Sequence, residues 1–316
     1  MSVEPPVFSI VMPAFNAERT IGAAIRSALA QTRADFELLV VDDGSTDGTA
    51  DVVRSLGNDP RVVLISSENR GPAAARNLAL ARARGRYVSL LDSDDLYLPT
   101  YLADVETALV ADPRAGFAFP DAWVLDERSG RIRHTYTLAD YAAPDADPSA
   151  WLRQLVTYNV VHCMAMIPRA VLERVGPFDE RLRAAMDYEL WLRIAAHGYG
   201  AVRIDRPLGV YRVTVGSITS QRRLVTTNLC EIYRIVAEEY EVADEVRALA
   251  RRQLQRVQLE RAVLEGESSR RARLRRATRF ARGLVGAPRR AWRHRRLWYA
   301  TPPEELAEFL RSTGDL

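Results

Sequence analysis

The chain predicts an α/β fold, a mostly parallel Rossmann-like central sheet flanked by helices and followed by a helical C-terminal extension. Three observations point there. Short apolar runs at Val7 to Met12, Phe36 to Val41, Val62 to Ile65 and Tyr87 to Leu91 read as strands, with helical patterns between them. Each run stops in turn-forming or acidic residues. From residue 222 to 265 there is neither Pro nor Gly, and apolar side chains recur at helical spacing.

The first run meets Pro13, which has no N–H for a ladder, so the strand is expected to end there. Asn16 is then placed to cap a helix from Ala17, with Ile21, Ile25 and Leu29 on one face. The second strand ends at Asp42-Asp43-Gly44-Ser45. Strand, helix, strand implies a right-handed parallel crossover that gathers the functional loops at the strands' carboxyl ends. A third unit repeats the plan, with a helix over 50–55, a strand over 62–65, and a turn from Glu68 into an Ala-rich helix that carries Arg76 and ends near Gly85.

The fourth strand stops in Asp92-Ser93-Asp94-Asp95, three carboxylates within four positions. Such crowding is repulsive unless something positive answers it, for instance a hard divalent cation. Asp92 and Asp94 share one side of an extended chain. Asp95 points elsewhere and is expected to cap a helix beginning near Pro99. Good turn chemistry alone would also explain the acids, so the tetrad does not decide between a turn and a metal site.

Further on, the pattern predicts a helix over 101–110, strands at 117–119 and 123–125, a surface loop over 131–149, a strand over 159–167 and a helix over 169–175. Met186 to Ile194 opens an amphipathic helix with Asp187 in its first turn. Glu189 reads as a surface acid or one lying behind the site. His162 reads as a packed strand histidine, with acceptor contact as the other option.

Four stretches in order carry a more specific signal: Ser9 to Asn16, Val41 to Thr49, Asn69 to Asn77, and Leu91 to Asp95. Together they resemble the successive motifs of glycosyltransferase family 2, inverting sugar transferases of the GT-A fold, over about the first two-thirds of the chain. The resemblance implies a nucleotide site at Pro13, Ala14, Phe15, Asn16, Asp42, Asp43, Arg76, Asp92 and Ser93. A base needs an in-plane acceptor for its ring N–H, which Asp43 at a strand end can supply. For Asp42, a turn-capping role is an equal alternative. The resemblance further implies Mn2+ or Mg2+ held by Asp94 and Asp92, and Asp187 as the general base. The acid commonly found before that base is replaced by Met186. Arg212 is expected near the diphosphate in a lid, and Thr214 stands where many relatives carry a histidine.

The implied function is inverting transfer from a nucleotide-diphosphate sugar, a UDP-sugar by expectation, to a hydroxyl of a saccharide or lipid-linked acceptor. An inactive nucleotide- or saccharide-binding assembly module is the alternative, suggested by Met186 and Thr214. A nucleotidyltransferase is disfavoured because no Gly-rich phosphate loop is present. The catalytic domain is expected over 1–221, with a nucleotide-binding half to about residue 97 and an acceptor half over 98–221. Residues 222–316 form a helical, Arg-rich region.

The formal net charge is +3, and every strongly basic side chain is arginine, since the chain has no lysine. That bias reads as codon usage, so nucleic acid is not the expected partner. Cys163 and Cys230 match no metal or redox spacing and suit a reducing compartment. No signal peptide or membrane-spanning run is evident. The expected location is cytoplasmic; the basic, Trp-containing stretch 270–299 reads equally as a peripheral contact at the inner face of the cell membrane or as a helix whose apolar stripe packs on the protein. A homodimer is compatible with the apolar helical stripe.

Overall fold

A computed structural model describes residues 5–134, 147–161, 164–214, 218, 221–265 and 303–314. Strands β1 (Phe8–Ala14), β2 (Phe36–Asp43), β3 (Val62–Ser67) and β4 (Tyr87–Leu90) are linked by helices α1 (Ile21–Leu29), α2 (Thr49–Leu56) and α3 (Pro72–Leu80). They lie side by side in the order β3-β2-β1-β4, all parallel. The chain steps outward from β1 to β3 and then crosses back through α3 to reach the far side of β1. That reversal between β1 and β4 is the switch point at which open α/β sheets take ligands.

β1, β2 and β4 read as unbroken apolar runs because both faces are covered, while β3, at the edge, is only partly buried. Val11, Leu39, Val41, Val88 and Leu90 belong to one core with Ala75 and Ala79 of α3. Phe8, Ile10, Met12, Leu38 and Val40 belong to the other, with Ile21 and Ile25 of α1.

β1 does not end at Pro13. The Val7 and Val11 carbonyls accept from the Tyr87 and Leu91 amides at 3.0 and 3.1 Å, so the odd residues of β1 direct their polar groups toward β4. Pairing with β4 stops at Val11 opposite Leu90. The N–H that Pro13 lacks would therefore point where no ladder remains, and β1 continues against β2 to Ala14 opposite Asp42. Nor does Asn16 cap a helix: its φ is 51°, its side-chain oxygen accepts the Thr46 amide at 2.8 Å, and α1 starts only after Thr20.

Past β4 come β5 (Leu96–Tyr97), α4 (Tyr101–Ala111), β6 (Ala115–Asp126), β7 (Arg131–His134), α5 (Pro148–Thr157), β8 (Met166–Pro168), α6 (Arg169–Val175), α7 (Met186–Ala196) and β9 (Gly200–Val213). The two strands expected at 117–119 and 123–125 are one strand, β6, whose register against β9 shifts around Pro120 and Asp121. A bulge there lets one strand carry a proline without losing its partner. Residues 131–134 belong to a strand paired with β6 instead of a loop. Residues 135–146 lie outside the described residues, and Pro148 already sits in α5, capped by Asp147 accepting the Ser149 amide at 3.0 Å. The strand expected over 159–167 is confined to Met166–Pro168, and His162 and Cys163 lie outside the described residues.

Helices α8 (Arg222–Glu238) and α9 (Asp244–Leu264) pack together, and α9 also packs on α5. A last helix, α10 (Glu304–Thr313), docks on α1, where Leu306 and Leu310 meet Ala23, Leu96 and Val210. Arg26 of α1 closes that contact by donating to the Thr313 carbonyl at 2.7 and 2.9 Å. The basic stretch 270–299 lies outside the described residues.

At the amino ends of the strands a buried carboxylate is fully engaged. Glu37 accepts from the Ser9 hydroxyl at 2.7 Å, the Arg84 amide at 2.7 Å and the Arg84 guanidinium at 2.8 and 2.9 Å. Gly85 follows, its amide donating to the Ser9 hydroxyl at 2.8 Å, and a Cβ there would stand 2.5 Å from the Ser9 backbone nitrogen. No larger residue can pass so close. Glu37→Ala strands the buried Ser9 hydroxyl and releases the exposed Arg84 side chain to solvent, and is expected to destabilise the fold by about 1–3 kcal/mol, read from the urea midpoint.

Candidate active site

The acids after β4 are set by a tight turn in which the Asp95 amide donates to the Asp92 carbonyl at 3.0 Å, with Ser93 half-buried inside it. Asp95 does not cap α4, whose preceding residue is Thr100. Its buried carboxylate instead accepts the Arg212 amide at 2.9 Å, while the Arg212 guanidinium donates to the Asp94 carbonyl at 2.6 Å. The end of β9 is thereby tied to the acidic turn, and Arg212 also lies 3.8 Å from Glu127. Thr214 is half-buried just beyond, and 215–217 lie outside the described residues.

Asp92 forms an ion pair with Arg76 of α3, a guanidinium only 5% exposed. Arg76 also donates to the Met186 sulfur at 3.2 Å and lies 5.6 Å from the centre of the Phe178 ring. Phe178 is held there by Asn77, whose side chain donates to its carbonyl at 2.9 Å and accepts its amide at 2.8 Å. Asp187 stands next to Met186 at the start of α7. Burial pushes its carboxyl above the ordinary range, the Arg76 charge opposes that rise, and the Asp92 charge adds to it. One buried cation therefore acts on acids from two distant parts of the chain.

The β2 end shapes the neighbouring loops. Asp42 accepts the Ser45 amide at 3.0 Å, the turn-capping role. Asp43 accepts the Arg70 and Gly71 amides at 3.0 and 2.8 Å and the Ser67 hydroxyl at 3.3 Å, leading the chain into α3. Oδ1 takes two of these donors, whereas Oδ2 takes the Gly71 amide and keeps a second lone pair. Ala14 is buried opposite Asp42, while Phe15 is 49% exposed at the mouth. Gly71 has φ 93°, and a Cβ on it would lie 2.5 Å from the Arg183 guanidinium. Arg183 thus connects the Asp43 loop to the approach to α7.

Residues 9–176 match the family described as Glycosyl transferase family 2. The chain belongs to that family. It is 33% identical to UDP-Glc:alpha-D-GlcNAc-diphosphoundecaprenol beta-1,3-glucosyltransferase WfgD of Escherichia coli, over 68% of this chain and 80% of the relative. It is 36% identical to the succinoglycan biosynthesis protein ExoO of Rhizobium meliloti, over 69% of this chain and 64% of that protein. The fold is that of GT-A glycosyltransferases. The S. aureus TarS 1–349 structure in complex with UDP superposes with a TM-score of 0.61 at 18% identity, covering 81% of this chain and 72% of that one. The Pyrobaculum calidifontis mannosyltransferase PcManGT in complex with GDP-Man and Mn2+ gives 0.60 at 22%, covering 98% and 86%.

With a family 2 glycosyltransferase in view, the acidic turn can be tested against a divalent cation. Among the described residues no three His, Cys, Asp or Glu side chains converge into a ready cage. Asp92 and Asp94 supply two carboxylates, and Asp94 is pushed up to about 6 by burial and then by the Asp92 charge. Mg2+ and Mn2+ sites built from one or two carboxylates are completed by phosphate oxygens and water, so this pair fits such an ion.

Of the two readings of Glu189, the surface one fails. It is buried, not at the surface, and pairs with Arg193 at 3.0 Å and with the Tyr240 hydroxyl. Phe178, Asn77 and Arg183 are site neighbours that local pattern did not single out for these contacts, although Asn77 stood inside a recognised motif. Gly71→Ala is expected to cost about 1–3 kcal/mol of stability, because the positive φ is strained for any Cβ and Arg183 must move; thermal unfolding reads it.

Proposed function

We propose that the chain transfers a sugar from a UDP-linked donor to a hydroxyl of a lipid-linked saccharide, with inversion and with Asp187 as the general base. The observation that carries this reading is the position of Arg76, paired with Asp92 on the donor side and acting on Asp187 beside it. The relatives' own names supply the substrate classes: WfgD is a UDP-Glc transferase acting on a diphosphoundecaprenol-linked sugar, and TarS is seen with UDP.

In this reading the β1 end and the Asp42–Asp43 loop receive the nucleoside, with Pro13 to Asn16 along one wall and Arg76 beneath. Asp94 and Asp92 would hold a divalent cation, Mn2+ or Mg2+, which when bound supplies positive charge to the departing diphosphate. Arg212, anchored to the acidic turn, lies on the diphosphate side. Asp187 accepts the proton of the attacking hydroxyl, a role that needs a carboxylate within hydrogen-bond reach of the acceptor. Its raised affinity for protons suits that task, and the Arg76 charge opposes the rise. Met186 places a thioether where relatives commonly carry an acid, so one carboxylate, not two, faces the acceptor. Among the described residues no helix is long and apolar enough to cross a membrane. Access to a lipid-linked acceptor would then come from peripheral contact at the inner membrane face.

Asp187→Asn is expected to lower turnover by about 10²–10⁴-fold while UDP still binds, measured as UDP released from a panel of UDP-sugars with Mn2+. Near wild-type turnover would remove the base assignment. In the wild type, activity should fall as pH drops through a midpoint above the ordinary aspartate range, because only the deprotonated Asp187 works. Asp94→Ala should weaken UDP binding and abolish its dependence on Mn2+, read by calorimetry with and without the ion.

A further inference from the structure

Asp187 is bracketed by residues gripped from beyond the matched family segment, which ends at residue 176. On its amino side, the Asn228 side-chain oxygen in α8 accepts the Arg183 amide at 2.8 Å and the Ala184 amide at 3.4 Å. Asn228 is buried, and its own NH2 donates to the Leu224 carbonyl at 2.8 Å, which fixes which way the amide faces. The next residue, Ala185, has φ 56°, a left-handed conformation that a Cβ disfavours and that persists only when the surroundings impose it. Its carbonyl then accepts the Glu189 amide at 3.2 Å, the first helical bond of α7.

On the carboxyl side, Tyr188 donates to the Leu155 carbonyl at 2.7 Å and meets the Tyr233 hydroxyl of α8 at 3.3 Å. Glu189 takes the hydroxyl of Tyr240, just past α8. Arg193 joins Glu189 to the Val175 and Pro177 carbonyls at 2.9 and 2.7 Å. The only titratable or charged groups that these contacts bring to Glu189 are thus Arg193 and Tyr240, with Asp179 acting at longer range.

We infer that Asn228 and Tyr240 are positioning residues for the reaction, aiming Asp187 by holding the strained Ala185 turn and the first turn of α7 from the C-terminal helical region. The inference rests on the reading of Asp187 as the base. A displacement of about an ångström at a reacting group can lower a rate by about a hundredfold, so loss of the Asn228 grip should act on turnover more than on donor affinity.

The test compares Asn228→Ala, Asn228→Asp and Asp187→Asn in the full chain, using UDP release from a UDP-sugar with Mn2+ for turnover and calorimetry for UDP binding. Asn228→Ala should lower kcat by about 10- to 100-fold with UDP affinity changed by less than about threefold. Asn228→Asp keeps the accepting oxygen but loses the donor to the Leu224 carbonyl, and should restore part of the loss. Unchanged kcat in Asn228→Ala, or an equal fall in kcat and UDP affinity that Asn228→Asp does not restore, overturns the inference. Should Asn228→Ala fail to fold, Tyr240→Phe deletes a single hydroxyl and carries the same expectation: lower kcat at unchanged UDP affinity supports the inference, and unchanged kcat overturns it. An active Asp187→Asn would remove the base itself. An inactive Asp187→Asn beside fully active Asn228 and Tyr240 variants would keep the base and remove only the positioning.

Discussion

Arg76 lies in the protein interior against Asp92, the Met186 sulfur and the Phe178 ring, and its charge reaches Asp187. A buried guanidinium is tolerated only where acids and acceptors surround it, and acids so near one another are tolerated only where such a cation sits between them. Each side of the arrangement thus requires the other. The loop that delivers Arg76 begins where the Asp43 carboxylate receives the Arg70 and Gly71 amides, and α3 then locks Phe178 over the guanidinium through Asn77. The end of β4, through Asp92, and the start of α7, through Asp187, consequently share one fixed charge.

Much of this was legible in the chain itself. Strands covered on both faces leave continuous apolar runs, and β1, β2 and β4 were found for that reason, whereas the partly exposed β3 was found from its β-branched and aliphatic side chains. The acids at strand ends were legible because they sit next to one another in sequence. Pro13 was misread because the direction of its missing N–H depends on register with β4, which local pattern does not contain. Asn16 and Asp95 looked like helix caps, yet their partners, the Thr46 amide and the Arg212 amide, lie 30 and 117 positions away. Glu189 has the spacing of an exposed helix position and is buried only because Tyr240 and Arg193 satisfy it. β7 is short and polar, and only its partner β6 makes it a strand.

The C-terminal helices belong to the same physical unit as the sheet. α9 packs on α5 and α5 packs on α7, so the helix that carries Asp187 is linked through α5 to the C-terminal helices. Ala185 records the consequence: a left-handed alanine survives where its neighbours' amides already have acceptors. A helix start built on glycine would need no such support, but would also hold its first side chains less firmly.

At the opposite rim, Glu37 bonds Ser9 and Arg84, and Gly85 threads past Ser9. Three strands are pinned there by a carboxylate with every lone pair in use. The molecule is therefore held together from the rim opposite the acidic turn, so the loops beyond Asp43 and Leu90 could be traded, through evolution or by design, without loosening it.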